Sequence, residues 1–274
     1  MYSIASEVLT VNLLDPIKDR DRFGLRYCTG GYIFEVIDNA TGRNLMTGPT
    51  YPYDFQPFHG QGIPDTFNHS PQYLPEEDLF LIPGIGKCDL RNNEIVELCK
   101  WNLALSTDES SMIFTTRHTE GPYDFTIIRK VSVDGSRIIS STRLKNNCNT
   151  LVPIEWYPHP FFPPKEDGRF LTVDEDSYFE DPTGYFEIED GRIRRVFGVD
   201  QELSFQPVRP GSNPMTAAIH TDRGYRCEMK TDYMSQYTPI WANDNTCSIE
   251  PYLSTTLFGY GYLEWSVEYS FTLA

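Results

Sequence analysis

The chain of 274 residues carries 39 acidic against 23 basic side chains, a formal net charge of −16 at pH 7. A field of that sign repels polyanions and anionic lipid surfaces, which argues against nucleic-acid and membrane partners and disfavours strongly phosphorylated substrates. No stretch reaches the roughly 18–20 apolar residues of a membrane-spanning helix, and a chain of this length can bury one large core without disulfide or metal staples.

Taken in chain order, the opening MYSIASEVLT lacks the basic start and long apolar run of a secretory leader, so a cytoplasmic location is the expectation. Residues 32–37 and 43–46 read as strands joined by a turn over 38–42. Segment 48–83 breaks the pattern. It is rich in Gly, Pro, Tyr and Phe, contains His59 and His69, and is too irregular for a strand pair, so it reads as an ordered loop of the kind that binds ligands. Residues 123–133 alternate apolar and polar side chains, and after the turn Asp134-Gly135-Ser136 residues 137–144 complete a hairpin.

Segment 163–191 concentrates Asp174, Glu175, Asp176, Glu180, Asp181, Glu187, Glu189 and Asp190. A solvated loop is the simpler reading, since the spacing of an EF-hand calcium site is missing. Turns are signalled at 221–224 and 242–245, and in 265–273 every odd position is apolar, the mark of a half-buried strand. No long window carries an apolar helical stripe with caps. The expected fold is therefore all-β, a large antiparallel β-sandwich with few helices, with residues 1–274 forming a single domain. The six cysteines are scattered, without C-x-x-C or zinc spacing, and are expected to be free buried thiols with no metal.

The motifs of serine hydrolases, P-loop proteins, dinucleotide-binding enzymes and HExxH metalloproteases are missing, and nothing calls for a cofactor. What remains are polar groups set in apolar strands. In EWYPHPFFP, Pro158 and Pro160 restrict the backbone on both sides of His159 and fix the direction of its ring. An imidazole so held is a candidate general acid; a core histidine bonded to a carbonyl is the alternative. Glu250 stands among apolar and small polar residues before Pro251, where desolvation would raise its pKa toward that of a useful base, the alternative being a surface glutamate at a strand end. One acid and one base on opposed strands could move protons at two positions of a ligand, an isomerisation that needs no cofactor. The aromatic content of 14% suits sugar rings, whose apolar faces stack on aromatic side chains while their hydroxyls seek carboxylates and amides.

His159-Pro160-Phe161-Phe162 resembles the His-x-Tyr/Phe-Phe motif of the aldose 1-epimerases and galactose mutarotase-like proteins. Gly30-Gly31-Tyr32-Ile33 resembles that family's early glycine pair, and 144–153 its strand ending in asparagine before a Leu-Pro step. Tyr237-Thr238-Pro239, then Ser248-Ile249-Glu250-Pro251-Tyr252, then 264–271 resemble its closing strands with the catalytic glutamate. The resemblance implies the β-supersandwich fold and a small-molecule carbohydrate ligand. It also implies a mechanism in which Glu250 takes the anomeric proton, His159 protonates the ring oxygen, the ring opens, and rotation about C1–C2 precedes closure.

His59-Gly60 resembles the family's His-Gly pair that helps hold the sugar. The arginine expected shortly afterwards in the hexose-6-phosphate branch is replaced by Gln61-Gly62-Ile63-Pro64-Asp65, so an unphosphorylated sugar is implied and Gln61 joins the substrate-binding candidates. The family's aspartate between the histidine and the glutamate has no clear counterpart. Arg117 and His118 are further candidates to reach the site, with an exposed strand pair as the alternative; Trp156 and Trp241 are candidate stacking rings, with core packing as theirs. The expected function is a mutarotase. A carbohydrate-binding protein without turnover, or another epimerase or lyase on the same fold, are the rival readings. Oligomeric state is not legible in the sequence.

Overall fold

Alternation decides where the sheets sit. In the computed structural model, which describes residues 1–180, 182–196 and 204–273, the segments read as alternating strands become the centre of a ten-stranded antiparallel sheet. Tyr123–Asp134 and Arg137–Asn146 pair across the expected turn, from Asp134 opposite Arg137 to Phe125 opposite Asn146. Tyr262–Leu273 lies next to them and in turn pairs with Tyr225–Thr231. Trp265, Val267, Tyr269 and Phe271 all point into the core, as do Phe125, Ile127, Val131 and Val133 of the hairpin. Each such side chain contributes roughly 1.5–3 kcal/mol through burial.

Four smaller antiparallel sheets complete the sandwich. The fold is all-β, and among the described residues the one helical element is the short 3₁₀ turn Arg20–Arg22. The hairpin at 38–42 and the turns at 221–224 and 242–245 all separate strands. All six cysteines are free thiols; Cys28, Cys88, Cys227 and Cys247 are buried, while Cys99 and Cys148 are only partly so. No helix among the described residues is long and apolar enough to cross a membrane.

Two readings need correction. Segment 48–83 is not strand-free: Gln72–Leu74 and Leu79–Ile82 pair, and with Gly86–Asp89 and Glu94–Leu98 they build a four-stranded sheet. Strands of three to five residues are too short for alternation to register. Likewise the acidic segment is not a bare loop, since it contributes Arg169–Thr172 and Phe186–Glu189 to the edge of the large sheet. There Glu189 pairs with Arg169 and Glu187 with Arg194, while Glu180 pairs with Arg209. Asp181 lies outside the described residues. Among the described residues no group of three or more His, Cys, Asp or Glu side chains is arranged to hold a metal ion.

One strand links this frame to the chemistry. Val152–Pro158 runs between Leu253–Leu257 and the two-residue strand Asp65–Thr66, with Pro158 opposite Asp65. Asp65 is buried and forms an ion pair with Arg129, itself buried in the central hairpin and bonded through Nη2 to Ser140 Oγ at 2.9 Å. Through the pairing of Asp65 with Pro158, the ion pair ties the strand that leads into the candidate histidine to the large sheet. Just before it, Gly62 holds a positive φ of 77°, and a Cβ there would sit 2.3 Å from the Ile33 carbonyl oxygen, so only glycine fits. This segment supplies the Pro64 and Gly62 carbonyls that accept the backbone N–H groups of His159 and Phe161, each at 2.8 Å.

Candidate active site

The period of two that builds the sheets also sorts the side chains of the site. Val152, Ile154 and Trp156 face the core, so Glu155, Tyr157 and, two residues beyond, His159 face the other way. On the neighbouring chain segment Glu250, Tyr252 and Ser254 follow the same spacing. The two runs converge on a cavity of about 480 Å³ whose walls also include Arg26, His69, Phe205, Tyr237 and Trp241. Tyr157 and Tyr252 stack face to face at 4.0 Å and 9°.

His159 and Glu250 meet on the buried side of this cavity, with side-chain exposures of 2% and 6%, and Nε2 lies 3.1 Å from Oε1. The imidazole stacks on Phe161 at 4.3 Å, with Trp241 and Tyr27 edge-on to it. Its Nδ1 lies 3.3 Å from Ser248 Oγ. Burial pushes the Glu250 carboxyl up to about 8, against the opposing pull of the Arg26 charge and of the Ser248 hydrogen bond. Burial, reinforced by Arg26, holds the His159 imidazole well below the usual histidine range. At neutral pH the pair therefore holds one proton between two groups in hydrogen-bond contact. That is the state from which one partner can act as acid and the other as base.

Arg26 was not singled out in the sequence. It is half-buried, its guanidinium lies over the rings of Tyr27 and Phe58, and it supplies the positive charge nearest the pair in electrostatic effect. Nothing local in its neighbourhood marks it. Tyr157 and Tyr252, by contrast, follow from counting two residues back from His159 and two forward from Glu250.

Most of the other sequence candidates lie elsewhere. His59 is exposed, its ring beside Phe58 and its carbonyl accepting the Tyr27 hydroxyl at 2.9 Å, and it does not line the cavity. Gln61 is buried against Tyr32 and Phe34, its backbone N–H donating to the Tyr32 hydroxyl at 3.1 Å. Trp156 points into the core, packed edge-on against Trp265 and Tyr233, because its parity on the strand is opposite to that of His159. Trp241 does line the cavity. Arg117 and His118 belong to a different cleft, beside Lys87 and Glu97. Arg117 makes a two-point ion pair with Asp124 at 2.8 and 2.6 Å. His118 is buried, accepts the Gly84 N–H at 3.0 Å, and is held neutral by burial, which lowers its pKa to about 4. A further cavity of about 390 Å³, lined among others by Lys165, Phe170, Arg195 and Cys247, lies apart from the histidine–glutamate pair.

No protein-family model matches the chain, and no curated protein matches it in sequence. Solved structures do match. A protein of Synechocystis sp. PCC 6803 is 15% identical with a TM-score of 0.67, the match covering 100% of this chain and 96% of that one. A galactose mutarotase-like protein from Lactobacillus casei ATCC 334 is 13% identical with a TM-score of 0.61, covering 99% of this chain and 100% of its own. A galactose 1-epimerase from Lactobacillus acidophilus NCFM is 13% identical with a TM-score of 0.61, covering 99% and 94%. The resemblance carried by short motifs thus holds over the whole chain in three dimensions, and the fold is galactose mutarotase-like.

Proposed function

We propose that the protein is a sugar mutarotase, interconverting the anomers of an unphosphorylated aldose, with residues 1–274 working as one domain around a single site. The observation that carries the reading is the His159–Glu250 contact of 3.1 Å inside an aromatic-walled cavity. A core cluster running from Ile4 to Phe271 supports the single domain. In this reading the anomeric hydroxyl and the ring oxygen take the place of the hydrogen bond the two side chains share. The shared proton first passes from Glu250 to His159 across their 3.1 Å contact. Glu250, then a carboxylate, removes the proton from the anomeric hydroxyl; the electrons form the C1 carbonyl, the bond from C1 to the ring oxygen breaks, and the His159 imidazolium delivers its proton to that oxygen. Rotation about C1–C2 presents the other carbonyl face, and the same two transfers run backwards. The pair starts and ends with one proton, so no cofactor enters the balance.

Tyr157, Tyr237, Trp241 and Tyr252 supply the flat apolar surface a pyranose face prefers, and Arg26 supplies donors for its hydroxyls. Among the described residues Arg26 is the only Lys or Arg side chain lining the cavity, in keeping with a sugar that carries no phosphate. Polarimetry or NMR anomer exchange on a panel of free aldoses is the test, and a wild-type rate equal to the spontaneous one on every sugar rejects the proposal. A second reading, a carbohydrate-binding protein without turnover, draws on the burial that keeps Glu250 protonated at neutral pH. Calorimetric binding of a sugar with no rate enhancement would decide for it.

A further inference from the structure

The same cavity holds a second imidazole–carboxylate pair, built on different terms. His69 Nδ1 lies 2.9 Å from Glu155 Oε1, and the two side chains are 43% and 37% exposed, so this pair stands at the mouth. The His69 ring rests against Tyr157 at 5.4 Å and Tyr252 at 5.7 Å, the rings that stack on each other in the cavity wall. Three of the cavity's own residues therefore fix the position and tilt of this imidazole.

Glu155 also fixes its tautomer. An ionised carboxylate can only accept, so the proton of a neutral His69 sits on Nδ1, and Nε2 is left as a hydrogen-bond acceptor. Among the described residues no hydrogen bond reaches Nε2. An acceptor held in place by a carboxylate and two rings loses little freedom when a ligand donor arrives.

We infer that His69 determines specificity: its Nε2 accepts a hydrogen bond from one sugar hydroxyl other than the anomeric one, and Glu155 is the positioning residue that fixes its tautomer. The inference rests on the reading of the cavity as a sugar site. The ligand class it selects is a neutral sugar with a free hydroxyl at that position. A substituent that is anionic there meets the Glu155 charge, and one without a donor leaves Nε2 unsatisfied.

The test is a cycle of protein and ligand changes. Mutarotation kinetics are measured for wild type, His69→Ala and Glu155→Gln on an accelerated aldose and on its singly deoxygenated and singly fluorinated analogues at each non-anomeric hydroxyl. At one position, loss of the donor is expected to lower wild-type kcat/KM by about tenfold or more, mostly through KM, and His69→Ala is expected to lower the parent sugar by a similar factor. The two losses should not add. Glu155→Gln should show a smaller loss at the same position. Additive losses at every position, or an unchanged KM for His69→Ala, overturn the inference while leaving the mutarotase reading intact. Should wild type accelerate no sugar, that reading fails instead, and the same cycle run on calorimetric Kd decides His69 alone; the absence of any sugar binding rejects both. Thermal melting of each variant separates a changed contact from a damaged fold.

Discussion

Two buried acid–base pairs sit on adjoining residues of this fold and behave in opposite ways. Asp65 with Arg129 and Glu250 with His159 are all buried, and Pro158, opposite Asp65, directly precedes His159. An arginine does not give up its proton in a protein, so the first pair has one protonation state and acts as a strap between sheets. Histidine and glutamic acid can exchange theirs: burial raises the carboxyl and lowers the imidazole, so the proton rests on Glu250 within 3.1 Å of the His159 Nε2 that can take it. The same low-dielectric environment thus makes one pair a fixed joint and the other a movable proton, and the choice of cation decides which.

Breaking the movable pair should give the largest effect. Glu250→Gln is expected to lower the mutarotation rate by about 10²–10⁴-fold, measured by polarimetry, while leaving the fold intact. It should also change the pH dependence of stability. The folded-state pKa of Glu250 is raised to about 8, so the stabilisation associated with its proton is present below the ordinary carboxylate range and is lost as pH rises through about 8. The glutamine variant lacks that loss, and its melting temperature should exceed that of wild type increasingly on the alkaline side.

Breaking the fixed pair should act on stability instead. Asp65→Asn leaves the Arg129 charge buried without its partner and is expected to cost about 3–5 kcal/mol in denaturant unfolding. Replacing both residues by apolar ones of similar volume should recover most of that. A double variant as unstable as the single one would mean that the pair contributes more than compensation.

The two pairs also differ in their response to pH. With one proton per His159–Glu250 pair in the active form, the rate should fall above about pH 8 as the last proton leaves, and fall again in acid as a second proton binds. Arg26→Gln removes the charge that pulls both groups down, so both limbs of the pH–rate profile should move to higher pH. A limb that stays put would exclude Arg26 from the pair's electrostatics. The smallest effect on rate is expected for Trp156→Phe, which should lower stability by about 1–3 kcal/mol and leave turnover per folded molecule unchanged, because the ring faces the core.

Much of this was legible in the chain because its signals are local. The alternation in 123–133, 137–144 and 265–273 names the inward side chains without any knowledge of partners. The prolines beside His159 and Glu250 mark two backbones built to aim a side chain. That the two would meet at 3.1 Å is a matter of register between distant strands, which composition and spacing do not carry. Arg26 reaches the pair from a third segment, and no local pattern distinguishes it from Arg22 nearby. Trp156 takes the core-packing role that stood as the alternative to stacking, for a reason the sequence contains: a residue three positions from His159 on an extended chain faces away from it. The same count applied to Tyr157 and Glu155 would have placed both in the cavity.

The strand Val152–Pro158 shows its core to one side and its cavity to the other, residue by residue. Positions 155 and 157, with 252 and 254 across from them, can therefore change without altering the packing of Ile154 or Trp156. Such a wall separates evolvability from foldability: lineages carrying this scaffold are free to redraw what the cavity prefers, one alternate position at a time, while the interior that supports it stays the same.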